Sequence, residues 1–278
     1  MPFDVSLKIG NAEFKNPVFL ASGPAGYGLE YEGIIDLSRI GAVVTKTITL
    51  NPKEGNKGKR IWETPCGLLN SIGLENVGSD TFISKKLPEI ISKGIRCIVS
   101  IAGEDWKEYR RLVEKISGCK EIDVVEINLS CPNVDRGGMV VGSDPDLLAH
   151  YIKVAREALG GVTLIAKLTP NVKDISRLAV VAEEAGADAI TAINTVLGMD
   201  IDLERRRPVF DRVIAGLSGP AIFPIALEAV WRIARSVDIP VIASGGISKV
   251  EDALKFFMAG AKAVQIGTGV FYLSLIHI

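Results

Sequence analysis

Glu184-Ala185-Gly186-Ala187-Asp188-Ala189-Ile190 reads EAGADAI, and Met258-Ala259-Gly260-Ala261-Lys262-Ala263-Val264 reads MAGAKAV. In each, a helical stretch meets a glycine, which takes the left-handed conformation that ends a helix, and runs straight into a short apolar strand. Ile40-Gly41-Ala42-Val43 reads as a third instance. Helix, glycine, strand is the joint of a β/α repeat, and short apolar runs recur along the whole chain. They are Val18–Ala21, Ala42–Lys46, Cys97–Ile101, Val124–Asn128, Leu164–Leu168, Ala189–Ala192, Val241–Ser244 and Ala263–Ile266. Amphipathic segments lie between them, near Leu29–Ser38, Trp106–Ile116, Asp146–Leu159, Ile175–Ala185, Ile225–Val237 and Val250–Ala259.

Strands that are apolar throughout, alternating with helices, imply a parallel sheet covered on both faces. Eight such units predict an α/β fold of the closed (β/α)8, or TIM barrel, type. An open doubly wound sheet would carry a GxGxxG turn after its first strand, and none is present. Val5–Ile9 and Ala12–Phe14, joined by Gly10-Asn11, predict an N-terminal β-hairpin closing the barrel floor. The long connection from Thr47 to Ser79, after strand two, predicts a functional loop, since long loops in compact domains usually are.

The 278 residues carry a net charge of -1, which gives no reason to expect nucleic acid or an anionic membrane as partner. No apolar run approaches a membrane span, the N-terminus has no signal pattern, and a disulfide framework is not expected of four cysteines in a chain this size, so a reduced, cytoplasmic setting is expected. Cys66, Cys97, Cys119 and Cys131 include no CxxC pair, so neither zinc nor an iron–sulfur cluster is suggested. The run Arg205-Arg206-Arg207 reads as a solvated loop.

In a barrel of this kind the C-terminal strand ends share one cavity. The residues there are polar: Lys46-Thr47 after strand two, Asn128, Cys131 and Asn133 after strand four, Lys167 in strand five, and Asn194-Thr195 after strand six. Ser244-Gly245-Gly246 and Gly267-Thr268-Gly269 follow strands seven and eight. Glycine pairs there let backbone N–H groups approach a phosphate, and Gly216-Leu217-Ser218-Gly219-Pro220 adds a weaker third contact. A phosphate site with strand-end lysines suggests a phosphorylated cofactor. The lysines read as partners in simple ion pairs, as Schiff-base formers, or as cations beside a flavin's pyrimidine edge. Cys131 lies just beyond its strand, and neither His150 nor His277 is placed to partner it as a nucleophile. It therefore reads as a general base. Asn70, Asn128, Asn133 and Asn194 offer donors and acceptors suited to a ring with amide edges.

These stretches, in this order, resemble the class 1 dihydroorotate dehydrogenases. ASGPAGYG (21–28), ETPCGLLNSIGLEN (63–76), EINLSCPNV (126–134), KLTPNV (167–172), INTVLGMDIDL (193–203), GLSGPAI (216–222), ASGGI (243–247) and QIGTG (265–269) carry the resemblance, from about Val5 to Val270. It implies an FMN enzyme oxidising dihydroorotate to orotate in pyrimidine biosynthesis, with Cys131 taking the C5 proton and the C6 hydride passing to flavin N5. It implies substrate contacts from Lys46, Asn70, Ser71, Ile72, Gly73, Leu74, Asn128, Asn133, Asn194 and Thr195. FMN contacts would come from Ser22, Lys46, Thr47, Asn128, Lys167, Ile193, Gly219, Gly245, Gly246, Gly267 and Thr268. ETPCGLLNSIGLEN and NTVLGMDIDL look more like the NAD-linked 1B type than the fumarate-linked 1A type. That type implies a homodimer core and a second subunit carrying FAD and a 2Fe-2S cluster.

Two features depart from the resemblance. The family continues with a helix after strand eight, whereas this chain stops at Ile278. Its last residues, Leu273 to Ile278 (LSLIHI), match the translation of a transposon-end adapter. The expectation is one barrel domain over residues 1–278, with 273–278 a non-native tail and the final helix missing. Competing readings are a dihydropyrimidine dehydrogenase-like flavin barrel, a flavin-free binding subunit and a Schiff-base aldolase.

Overall fold

The computed structural model describes residues 4–103, 105–129 and 138–271. Eight parallel strands close into a barrel: β1 (Val18–Leu20), β2 (Ala42–Val44), β3 (Cys97–Ile101), β4 (Val124–Asn128), β5 (Thr163–Leu168), β6 (Ala189–Ala192), β7 (Val241–Ser244) and β8 (Ala263–Ile266). Each pairs with its sequence neighbours, and β8 closes on β1 with Val264 opposite Val18. All eight strands predicted from the apolar runs are present.

The glycine joints hold at two of the three positions. Gly186 and Gly260 take φ values of 102° and 113°, ending the helices Ile175–Glu184 and Val250–Ala259 one turn before β6 and β8. Gly41 plays a different part. It is not in the left-handed region, and a Cβ there would lie 2.1 Å from the Asn16 carbonyl oxygen. Glycine is needed for that approach to Asn16, and Gly41 N separately donates to Val18 O at 2.8 Å. The helix expected near Leu29–Ser38 does not form. Two 3-10 turns, Leu29–Tyr31 and Leu37–Arg39, stand in its place, separated by Gly33 at φ 77°. A left-handed residue in mid-segment cannot continue a right-handed helix.

The other helices follow their sequence signals. Asp105, Asp144 and Asp174 each accept a backbone N–H at the start of Trp106–Ser117, Pro145–Leu159 and Ile175–Glu184. His150 stacks on Trp106 at 4.3 Å between ring centroids, on the outer shell of the barrel. Helix Phe223–Ile233 follows β6 after a long excursion.

The predicted hairpin pairs Leu7–Ile9 with Ala12–Phe14 through three residue pairs. So short a ladder is marginal alone. Burial holds it: Ile9 and Phe14 pack with Phe19, Ile98, Ile165 and Ile242 across the barrel floor. Each such side chain contributes roughly 1.5–3 kcal/mol when taken out of water.

The connection after β2 is more ordered than a loop. Ile61–Thr64 and Gly67–Asn70 form a hairpin. That hairpin extends into a four-stranded antiparallel sheet with Ala215–Ser218 and Val196–Gly198 from the connection after β6. This sheet stands over one side of the barrel mouth. Arg205 and Arg206 are exposed at the tip of a separate hairpin, as expected of a solvated loop, whereas Arg207, also exposed, begins its second strand opposite Asp202. Residues 272–278, with the suspected tail, lie outside the described residues. Among the described residues no helix is long and apolar enough to cross a membrane.

Candidate active site

A cavity of about 470 Å³ opens at the C-terminal ends of the barrel strands. Three walls and a floor can be distinguished by what lines them.

The first wall is backbone. Gly245, Gly246, Gly267 and Thr268 follow β7 and β8, with Ser218 and Gly219 from the antiparallel sheet beside them. Gly219, Gly245 and Gly246 all have positive φ, turning the chain so that successive N–H groups form a concavity suited to an anion. Thr268 Oγ1 donates to Ser218 Oγ at 2.8 Å, tying the two segments together.

The second wall is an arc of amides and hydroxyls. Asn194 Nδ2 donates to Asn128 Oδ1 at 3.3 Å, and Asn128 Nδ2 donates to Thr47 Oγ1 at 3.2 Å. Thr47 shares hydrogen bonds with Ser22 at 3.2 Å and Ser100 at 2.9 Å. Ile193 enters from a cis peptide bond with Ala192. Thr195 N donates to Asn194 Oδ1 at 2.8 Å, orienting that amide.

The third wall is the segment Asn70–Leu74. Asn70 Nδ2 donates to Gly216 O at 3.1 Å. Asn70, Ile72 and Leu74 line the cavity, whereas Ser71 and Gly73 do not. Ser71 is turned away, and its Oγ accepts from Asn56 Nδ2 at 2.9 Å. Leu74 sits at φ 54°, uncommon for a residue with a branched side chain. The conformation is held by buried Asn76, whose Nδ2 donates to Leu74 O at 2.7 Å and Thr49 Oγ1 at 2.8 Å. Asn76 Oδ1 accepts from Gly78 N and Thr49 N. Lys46 reaches the same side, 3.8 Å from Glu75, which also pairs with Arg60 at 3.0 Å.

The floor is Lys167, 5% exposed, with Glu126 beneath it at 3.6 Å. Among the described residues no group of three or more His, Cys, Asp or Glu is placed to hold a metal ion.

Of the residues predicted from sequence, Ser22, Lys46, Thr47, Asn70, Ile72, Leu74, Asn128, Lys167, Ile193, Asn194, Thr195, Gly219, Gly245, Gly246, Gly267 and Thr268 all line this one cavity. Cys131 and Asn133 lie outside the described residues, as does His277. Residues that the sequence reading missed include Asn56, Asn76, Arg60 and Glu75, which shape the loop after β2. It also missed Glu126, Thr191 and Gln265 inside the barrel. A signal existed for these last three: each is the third residue of its strand, following two apolar residues (VVEIN, AITA, AVQI).

The family model described as dihydroorotate dehydrogenase matches residues 5–277. The chain belongs to the dihydroorotate dehydrogenase family. Its similarity to individual members is high along nearly the whole length. A dihydroorotate dehydrogenase B (NAD(+)) catalytic subunit of Trichlorobacter lovleyi is 50% identical over 267 residues, covering 96% of this chain and 88% of that protein. The same-named protein of Thermoanaerobacter pseudethanolicus is 50% identical, covering 95% and 87%. That of Geobacter sulfurreducens is 48% identical, covering 96% and 88%. A crystal structure of a dihydroorotate dehydrogenase from Eimeria tenella, in complex with ferulenol, superposes with a TM-score of 0.79 at 24% identity, over 97% of this chain and 80% of that one. That likeness speaks to the barrel fold.

Proposed function

We propose that this chain is the catalytic subunit of an NAD-linked dihydroorotate dehydrogenase. It oxidises dihydroorotate to orotate in de novo pyrimidine biosynthesis, as a single FMN-binding barrel domain acting in the cytoplasm. The observation that carries the reading is the cavity itself. Its backbone wall suits a phosphate, its floor carries a buried ammonium, and its amide arc suits a pyrimidine ring, in a chain half identical to the named catalytic subunits.

The donor set fits FMN. Gly219, Gly245, Gly246, Gly267 and Thr268 would hold the phosphate end. Lys167 would face the ring, and Ser22, Lys46, Thr47, Asn128 and Ile193 would line it. FMN, when bound, supplies the two-electron acceptor for the hydride that leaves C6. The chain does the rest. Asn70, Asn128, Asn133, Asn194 and Thr195 orient the dihydropyrimidine through its amide edges, and the segment presented by Asn70, Ile72 and Leu74, with Lys46, takes its carboxylate. Cys131, three residues past the end of β4, accepts the C5 proton as general base. An ordinary thiol titrates near pH 8.5, so this base gains strength on the alkaline side of neutrality. The name "catalytic subunit" on the relatives supports a second, electron-transferring subunit for this chain too. We take that partner to carry FAD and a 2Fe-2S cluster, on a homodimer of catalytic chains.

An anaerobic visible spectrum of the purified protein tests the reading. The expected result is a flavin band that bleaches on adding dihydroorotate but not dihydrouracil, and bleaches far more slowly in Cys131→Ala. A flavin band indifferent to dihydroorotate, or one reduced equally well by dihydrouracil, would overturn it.

A further inference from the structure

Glu126 is a carboxylate with 0% exposure in the middle of β4, inside the barrel and below the cavity. Charge in such a place is costly unless it is met. Thr191 Oγ1 and Gln265 Nε2 both donate to Oε2, at 2.8 and 2.7 Å. The two donors are themselves 3.3 Å apart, so they act as one clamp spanning β6 and β8. Oε1 takes no hydrogen bond from them and is left to the Lys167 ammonium at 3.6 Å. Lys167, whose side chain is 7% exposed, lies between that oxygen and the cavity, which it lines.

A buried ion pair is a poor device for stability alone, since an apolar pair of the same volume often serves as well or better. What the clamp achieves is direction. With Oε2 held from two sides, Oε1 faces the Lys167 ammonium, and Lys167 lines the cavity above it. We propose that Glu126 is a positioning residue. It seats the Lys167 ammonium at the floor, with Thr191 and Gln265 holding Glu126, so that a fixed cation faces the ring of the bound flavin. The proposal rests on the reading that the cavity holds FMN. A cation already in place stabilises the negative charge that the ring gains on reduction, without reorganisation at that moment.

The test is the two-electron midpoint potential of the flavin, measured by dye equilibration at saturating FMN. Glu126→Gln keeps the shape and an oxygen for the clamp but removes the charge. Without its counter-charge, the ammonium is driven from its buried seat. The potential is expected to fall by about 30 mV or more, a tenfold change in the reduced-to-oxidised ratio. In a Lys167→Met background the same substitution is expected to give no fall. A reduced-to-oxidised ratio unchanged within about threefold, or an equal fall with and without Lys167, would overturn the proposal. A Glu126 that served only the fold would lower the melting temperature and leave the potential where it was. Should Glu126→Gln fail to melt cooperatively, Thr191→Val decides. It removes one arm of the clamp and no charge, and a fall of about threefold in the reduced-to-oxidised ratio is expected, with no fall counting against the proposal. Titration of FMN fluorescence with wild-type protein separates the two levels. Quenching without a Glu126 effect sinks this inference alone, and no quenching takes the cofactor reading down with it.

Discussion

The amide of Asn194 donates to the carbonyl of Asn128 at 3.3 Å, joining the ends of β6 and β4 across the top of β5. Because Asn128 donates onward to Thr47, the arc runs across three strand ends without a break. Removing its first member leaves the orientation of Asn128 less determined. Asn194→Ala is expected to raise the KM for dihydroorotate at least ~10-fold, the equivalent of about 1.4 kcal/mol. The melting temperature should move by no more than about 2–4 °C, since no core contact is lost. Steady-state kinetics beside a thermal melt checks both, and an unchanged KM would refute the role.

Asn76 predicts the opposite pattern. It is 6% exposed and satisfies Thr49, Leu74 and Gly78 at once. Asn76→Ala leaves buried donors without partners, at about 1–3 kcal/mol each. The protein should lose roughly 4–8 °C in melting temperature, and substrate binding should weaken as Leu74 leaves its φ of 54°. A variant with normal stability and KM would show that the 70–74 segment holds its own shape.

At the backbone wall of the cavity the decisive position is Gly246. Its φ is 75°, and a Cβ would lie 2.7 Å from backbone atoms of Phe223. Neither the backbone conformation nor the contact tolerates a side chain, and strain of this sort costs of order 1–3 kcal/mol. Gly246→Ala is expected to fold, with native far-ultraviolet dichroism, yet to lose flavin on gel filtration. Retention of FMN at wild-type stoichiometry would exclude this loop from the cofactor site.

Cys97 at the start of β3 supplies a pH signature. Desolvation pushes its thiol from an ordinary value of 9.0 up to about 11. The folded state thus favours the neutral thiol. The stabilisation is complete below about pH 9 and is lost as the pH rises through about 11. Denaturation midpoints at pH 8 and pH 10.5 should fall further for the wild type than for Cys97→Ala. Equal falls would mean that the thiol does not titrate differently in the two states.

Much of this was written locally in the chain. A continuous apolar run such as VIAS or AVQI reads as a buried parallel strand, and EAGADAI shows helix, cap and strand within seven residues. The strand ends then name the cavity, because parallel strands in a barrel all end at one mouth. Where the local signal misled, at Leu29–Ser38 and Gly41, the governing fact was a backbone conformation or a close approach that no side-chain pattern encodes.

Residue type and spacing by themselves determined the barrel, its floor hairpin and most of the cavity lining, because β/α periodicity and strand-end polarity act over short stretches of chain. Only the tertiary structure decided that the hairpin Ile61–Asn70 joins Ala215–Ser218 and Val196–Gly198 in one sheet beside the mouth. It alone placed Glu126 against Lys167, Thr191 and Gln265. Those partners lie as many as 139 residues apart in the chain. They meet because closing the barrel turns the third residues of β4, β6 and β8 into one enclosed space, where the Glu126 carboxylate takes its donors from Thr191 and Gln265.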